Sequence, residues 1–356
     1  MKKLSQADIQ RIDHYRKKTI LKQLRRRGLA PTAKRSEFLA PPRLNLDYNY
    51  EETIDFFQTW KKLLNKNLER RRQGYSNDIS MKADFRRIRE ISVPAGVILA
   101  AELDRMGRKL GHRFSARNIK RWNPKVASIL NQLGVFKLLH VQFPKKKGNE
   151  NTDQIVLVEL TSDDTASGEK IGRLLDTAQQ IISEFSSSPY LYEGISEAIQ
   201  NAVEHAYPQD IDYEYEHCPN RWWATVCFDK STSDLRFFVY DQGIGIPESL
   251  PRQNWMEHLS PIFQRLGLGK DDAGMLRAAL EYGRTSTHLA HRGKGLPKMV
   301  SVIDKAETGS LRIVSGRAEA RYQFGCDPTT DQRKSHVGGT LVEWRIPLEV
   351  LGSKGA

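Results

Sequence analysis

At 356 residues the chain is long enough for two domains and a sizeable core, and 39% hydrophobic with 28% charged residues is an ordinary balance for a soluble protein. No apolar run approaches the ~20 residues of a membrane-spanning helix, and Cys218, Cys227 and Cys326 are too few and too scattered for a zinc site or a disulfide framework, which suits a reducing, cytoplasmic setting. The formal charge of +13 is uneven: residues 1–35 hold twelve Lys and Arg against Asp8 and Asp13.

That basic segment predicts a helix. Ser5 and Asp8 form a capping pair, Ile9, Ile12, Ile20, Leu21 and Leu24 make an apolar stripe, and Gly28 with Pro31 stops it. A basic amphipathic helix suits nucleic acid, an acidic partner or an anionic surface, and equally a solvated terminal helix packed by one face on its own protein. No base-reading motif accompanies it, so nucleic acid would be contacted through phosphate. Residues 36–48, with Pro41 and Pro42, read as a linker. Residues 49–73 then predict a helix with Ile54, Phe57, Trp60, Leu64 and Leu68 on its buried stripe and Arg70, Arg71 and Arg72 favouring its C-terminal end.

From 79 to 142 the pattern is strand (Ile79–Phe85), turn (Ile91–Gly96), apolar helix (Val97–Leu110), short strand (His112–Ser115) and helix with a glycine stop (Asn123–Gly134). Residues 144–154 are polar and read as a loop, Ile155–Leu160 alternates as a strand, and a domain boundary falls near 165. A helix over Ile171–Phe185 leads into the stretch Leu191–Pro208, where Ile195, Ala198, Ile199, Ala202 and Ala206 recur at three- and four-residue spacing. Glu197 and Asn201, four apart, share another face of that helix. A carboxylate there can orient or deprotonate a water, and an amide oxygen is a hard ligand suited to magnesium; a solvated Glu beside a helix-turn Asn is the alternative.

Strands follow at Arg221–Phe228 and Leu235–Tyr240. The second ends in Asp241-Gln242-Gly243-Ile244-Gly245-Ile246-Pro247, a carboxylate beside bare backbone that a planar ligand can approach. After a long segment, Gly283-Arg284-Thr285-Ser286-Thr287 supplies a cation and hydroxyls. Gly293-Lys294-Gly295-Leu296 then opens a helical pattern in a form suited to a phosphate chain. A hairpin is expected around Gly316. Gly338-Gly339-Thr340 enters a last strand over Leu341–Ile346.

These four segments, in this order over about residues 168–349, resemble the asparagine box and the three glycine boxes of the GHKL ATPase superfamily, which includes gyrase, a heat-shock chaperone, histidine kinases and MutL. The form Asn201-Ala202-Val203-Glu204-His205-Ala206-Tyr207 is most similar to the anti-sigma-factor kinase branch. The resemblance implies an α/β fold of the α+β two-layer sandwich type, with a mixed sheet covered on one face by helices in a Bergerat-type ATP-binding domain. It implies ATP and Mg2+ as cofactors, Glu197 as general base and Asn201 as the magnesium ligand. Asp241 would accept from the adenine amino group, with Thr340 near the same water. Nucleotide contacts would come also from Gly243, Gly245, Ile246, Arg284, Gly293, Lys294, Gly295 and Leu296. His291 stands where a first glycine of the phosphate loop is often seen, and His205 is a structural helix residue rather than a phosphoacceptor. The order of elements from 79 to 142 is similar to a STAS domain, with Ala95 before Gly96 where that family keeps a phosphorylated serine. The organisation expected is a basic arm and linker (1–45), a STAS-like module (46–165) and an ATP-binding domain (166–350). The expected function is that of an ATP-binding regulatory protein, through slow hydrolysis or phosphotransfer, acting on a protein partner. The alternative is an ATP-gated module that contacts nucleic acid or a large complex through residues 1–35. A homodimer is left open, and no membrane span is expected.

Overall fold

The structure, a computed structural model, describes residues 40–72, 81–110, 114–144, 154–182, 184–213, 215–252, 256–285 and 295–352. The basic arm of 1–35 lies outside the described residues. No helix among them is long and apolar enough to cross a membrane.

The chain is a mixed α/β protein built on one large antiparallel sheet. The N-terminal part contains β1 (Arg43–Leu44), α1 (Tyr50–Arg72), β2 (Met81–Ala83), β3 (Glu90–Ile91), α2 (Val93–Leu110), β4 (Phe114–Ala116), α3 (Pro124–Gln132) and α4 (Val135–Leu138). Its strands form two parallel pairs, β1 with β3 and β2 with β4. The stretch expected as a turn over Ile91–Gly96 is instead the start of α2. Ser92 caps it, its carbonyl accepting from Gly96 N at 2.8 Å, and Pro94 fits the first turn, where a helix needs no amide donor. The linker expected over 36–48 contains β1 and the buried Leu44 and Leu46.

The sheet begins with β5 (Ile155–Leu157) and β6 (Thr161–Asp163), so the boundary expected near 165 falls after two of its strands rather than before them. Then come α5 (Gly168–Ile181), α6 (Pro189–His205), β7 (Trp222–Asp229) and β8 (Asp234–Asp241). The long segment after β8 contributes α7 (Ile246–Arg252), α8 (Met256–Leu266) and α9 (Asp272–Thr285). The chain closes with α10 (Gly295–Ala306), β9 (Ser310–Ser315), β10 (Ala318–Gln323), β11 (Thr329–Gln332), β12 (Thr340–Pro347) and α11 (Leu348–Gly352). Strand order is β11-β10-β9-β12-β8-β7-β5, with β6 beside β5 on the outer edge of β7. Every pairing in this sheet is antiparallel, which corrects the mixed sheet expected from the resemblance.

The two-layer expectation is corrected too, because both faces of the sheet are covered. On the front, Leu235, Phe237 and Val239 of β8 join Trp222, Trp344 and the apolar faces of α5, α6, α9 and α10 in one core. On the back, Phe238 and Tyr240 of the same strand join Trp223, Cys227, Val314 and Leu341 in a second core with Phe57, Trp60, Leu99 and Leu103 of α1 and α2. The physical reason is visible in Phe237-Phe238-Val239-Tyr240: a strand with one wet face alternates, whereas a strand buried on both faces is apolar throughout. Each such buried aromatic contributes about 1.5–3 kcal/mol relative to exposure. Residues 40–141 thus form the third layer, behind the sheet. The helices α8 and α9 are packed on the sheet, with Leu259, Phe263 and Leu276 in the front core.

Candidate functional site

The alternation that buries β8 also sets its end. Asp241 continues the front-facing series Leu235, Phe237, Val239, and its cross-strand neighbour on β12 is Thr340, which in turn faces Ser315 on β9. Three polar side chains therefore stand in a row at one rim of the sheet, on the helix side. All are buried. Ser315 Oγ and Thr340 Oγ1 are 2.8 Å apart, and Ser315 Oγ also accepts from Ile246 N at 2.8 Å. Burial pushes the Asp241 carboxyl up to about 7, against hydrogen bonds from the Gly243 and Thr340 backbone and the charge of Lys61, which pull it down.

The loop after Asp241 is tied to α6. Gly243 N donates to Asp241 Oδ1 at 2.8 Å, and Ile244 N donates to the carbonyl of Ala206, just past the helix end, at 2.9 Å. A Cβ on Gly243 would sit 2.1 Å from that same Ala206 oxygen. On Gly245, at φ +88°, it would meet Gly316 N and Ser315 Oγ, each at 3.0 Å. The resemblance assigns these two glycines to the approach of a base; in the fold the space beside Gly243 is taken by the Ala206 backbone and that beside Gly245 by Gly316 N and Ser315 Oγ. Gly339, at φ +131°, is still tighter: a Cβ there would lie 1.9 Å from the Asp241 carbonyl. Tyr207 completes the corner, its hydroxyl accepting from Gln242 N at 2.8 Å and donating to Arg221 O at 2.6 Å.

On α6 the Glu197 carboxylate is mostly buried and accepts a hydrogen bond from Lys298 Nζ of α10 at 2.7 Å. α10 fits closely along α6 at this level: a Cβ on Gly194 would be 2.3 Å from a methyl of Val302. Asn201 is half-buried, and its amide has no hydrogen-bond partner among the described residues. Gly295 opens α10 and Leu296 is buried behind it. Gly293, Lys294 and His291, together with the side chain of Arg284, lie outside the described residues. No group of three or more His, Cys, Asp or Glu side chains among the described residues could hold a metal.

Sequence reasoning missed Lys298, Ser315, Tyr207 and Lys61. Lys298 follows Gly295 by three residues, within the first turn of an expected helix, which was the available signal. Lys61 carried none, because it stands on a helix assigned to another domain. In the structure it is fully buried behind the Asp241 corner. Among known protein families no model matches the chain, and among curated proteins none matches either.

Proposed function

We propose that the protein is an ATP-binding regulatory protein of the GHKL type, whose Mg-ATP-bound state sets its grip on a protein partner. The observation that carries this reading is the position of α6. Its C-terminal end abuts the Asp241–Gly245 loop, while its Glu197 reaches the first turn of α10. α6 thus touches both the acid-glycine loop and the first turn of the glycine-led helix, two segments far apart in sequence. In this reading Asp241 accepts a hydrogen bond from an exocyclic amine of the base, and Thr340 and Ser315 hold the polar rim beside it. Glu197 orients water with the carboxylate oxygen that Lys298 does not engage. Asn201 fits a magnesium ion, since its amide has no partner among the described residues and its oxygen is a hard donor. When bound, that ion would neutralise charge developing on the phosphates. Lys294 and Arg284 are the cations proposed for the phosphate chain.

The STAS-like reading of 46–165 is a finer part of the same proposal. The element order supports it, whereas the pairing of its strands in two separate couples does not add to it. ATP-gated contact with nucleic acid is a second reading, favoured by the twelve cations of residues 1–35. It is separated by salt: phosphate contacts would make affinity fall steeply with ionic strength.

The test is ATP binding by calorimetry between pH 6 and 8, in wild type and Asp241→Asn. The Asp241 carboxyl, raised to about 7, is mostly ionised only above that pH. Affinity should therefore rise by roughly tenfold from pH 6 to 8 in wild type. The asparagine variant should bind about 1.5–3 kcal/mol more weakly at pH 8, with this rise removed. Absence of binding, or the same pH profile in the variant, refutes the assignment. Stability runs the other way. A carboxyl raised in the fold contributes stability below its ordinary value, and that contribution is lost as pH rises through 7. The nucleotide-free asparagine variant should therefore be no less stable than wild type at pH 8.

A further inference from the structure

We infer that Lys61, on α1 in the layer behind the sheet, is a positioning residue of the Asp241 corner. It holds the Gly338–Gly339 turn in place and sets its charge against the Asp241 carboxylate from the opposite side of the strand end. The inference deepens the nucleotide-site reading and rests on it only for its ATP arm.

Lys61 is fully buried, which is costly for an ammonium group unless it is compensated. The largest charge offsetting that burial is Glu102 on α2, with Asp241 behind it, while the polar contacts of Nζ lie at this corner. Nζ lies 3.5 Å from the Gly338 carbonyl and 3.4 Å from the Tyr215 hydroxyl, and 4.6 Å from the centre of the Tyr215 ring. A Cβ on Gly338 would be 2.5 Å from Nζ, so turn and lysine fit each other with no room to spare. One helical turn away on the same face of α1, Gln58 donates to the carbonyl of His336 at 2.7 Å and grips the approach to this turn. The Tyr240 hydroxyl also donates to Gly338 O, at 3.1 Å. The turn delivers Thr340 to Asp241 and presses Gly339 on the Asp241 carbonyl.

Two buried carboxylates compete for Lys61. Glu102 of α2 is already engaged by Arg105, whose Nε donates at 3.0 Å, and by Gln242 Nε2 at 3.1 Å. Among the described residues Asp241 accepts hydrogen bonds from no cation, so Lys61 bears on it through its charge alone, as the smaller of the lysine's two acidic partners. The other titratable groups facing Asp241 among the described residues are phenols: Tyr207 past the end of α6, Tyr213 in the loop that follows, and Tyr240 on its own strand. Lys61 also faces His336, whose Nδ1 accepts from Gly338 N at 2.8 Å and whose imidazole is held below its ordinary value by burial and by the lysine's charge. Burial pushes Lys61 down to about 8, so both members of the pair change charge near neutrality.

The experiment is a titration of full-length, nucleotide-free protein carrying carbon-13-labelled aspartate, with the Asp241 resonance identified by its loss in Asp241→Asn. In wild type that resonance should show a main step near 7 and a second, smaller step near 8, where Lys61 loses its proton. In Lys61→Met and Lys61→Gln the second step should vanish and the main step should move up by ~1 pH unit. The ATP Kd at pH 7 should rise ~3–10-fold as the carboxyl holds its proton more often. A single wild-type step overturns the inference even if neither variant folds, as does an unshifted midpoint in a folded variant. If the two steps and the shift are found but ATP does not bind, the lysine's role stands and the nucleotide reading fails. If ATP binds and the steps are absent, the reverse holds.

Discussion

Replacing Glu197 by alanine should slow ATP turnover by about 10²–10⁴-fold, the range for losing a positioned general base, while leaving the nucleotide Kd unchanged or lower. The direction of the binding effect follows from Lys298. In the present arrangement its ammonium is drawn to Glu197 Oε2 at 2.7 Å. Its side chain is 41% exposed, so without the glutamate it remains solvated and free to meet a phosphate oxygen. For the same reason the variant should lose little stability: a pair open to water on one side contributes at most about 1 kcal/mol. Single-turnover hydrolysis with calorimetric binding separates the two effects. Turnover near the wild-type rate would show that Glu197 only ties α6 to α10. Glu197→Gln sharpens the comparison, because it keeps the shape and the contact to Lys298 but cannot take a proton.

Gly339→Ala should cost about 3–5 kcal/mol of stability, measured by urea unfolding, and is the most damaging single methyl at the site. Two independent effects add. The residue sits at φ +131°, outside the space of an L side chain, and the new Cβ would lie 1.9 Å from the Asp241 carbonyl, which is strand backbone and cannot swing aside. Gly267→Ala is the internal comparison. That residue also has positive φ, +62°, but nothing lies within 4 Å of its added Cβ. It should cost only the left-handed penalty, about 1–2 kcal/mol. Equal losses at the two positions would mean that the Gly339 contact relaxes, and the Asp241 corner would then be softer than its packing implies.

What was legible in the sequence is local. The stripe Ile195, Ala198, Ile199, Ala202 becomes the buried face of α6, and the runs 222–228, 235–240 and 341–346 become adjacent strands of the sheet, because each depends on a periodicity that its own residues carry. What was not legible depends on which segments meet. Gly243 reads from sequence as an opening for a ligand, and only the fold reveals that Ala206 occupies that opening. Gly274, in a glycine-containing stretch with Gly267 and Gly269, lies in the first turn of α9, which is anchored where Asp272 accepts from Arg317 N at 2.6 Å, a contact to a distant segment that no local pattern carries. Lys61 could not be connected to Asp241 at all, being 180 positions away in a segment assigned to a different domain. The clue to that connection was indirect: strands apolar at every position need a cover on both sides, and among the described residues, 40–141 supply the second one.

The same cover makes one cysteine a reporter. Cys227 is fully buried between the back of the sheet and the N-terminal helices, and burial pushes its thiol up to about 12. It is thus shielded twice from alkylating reagents, by lack of access and by lack of thiolate. Cys326 lies on the surface and is open to reagent from the start. Pulsed modification therefore carries its own reference. The exposed sulfur counts reagent dose, and Cys227, resolved by peptide mapping from the other buried thiol, Cys218, registers those moments when the rear layer lifts away, so a nucleotide or partner that loosens that seam would be seen without any engineered label.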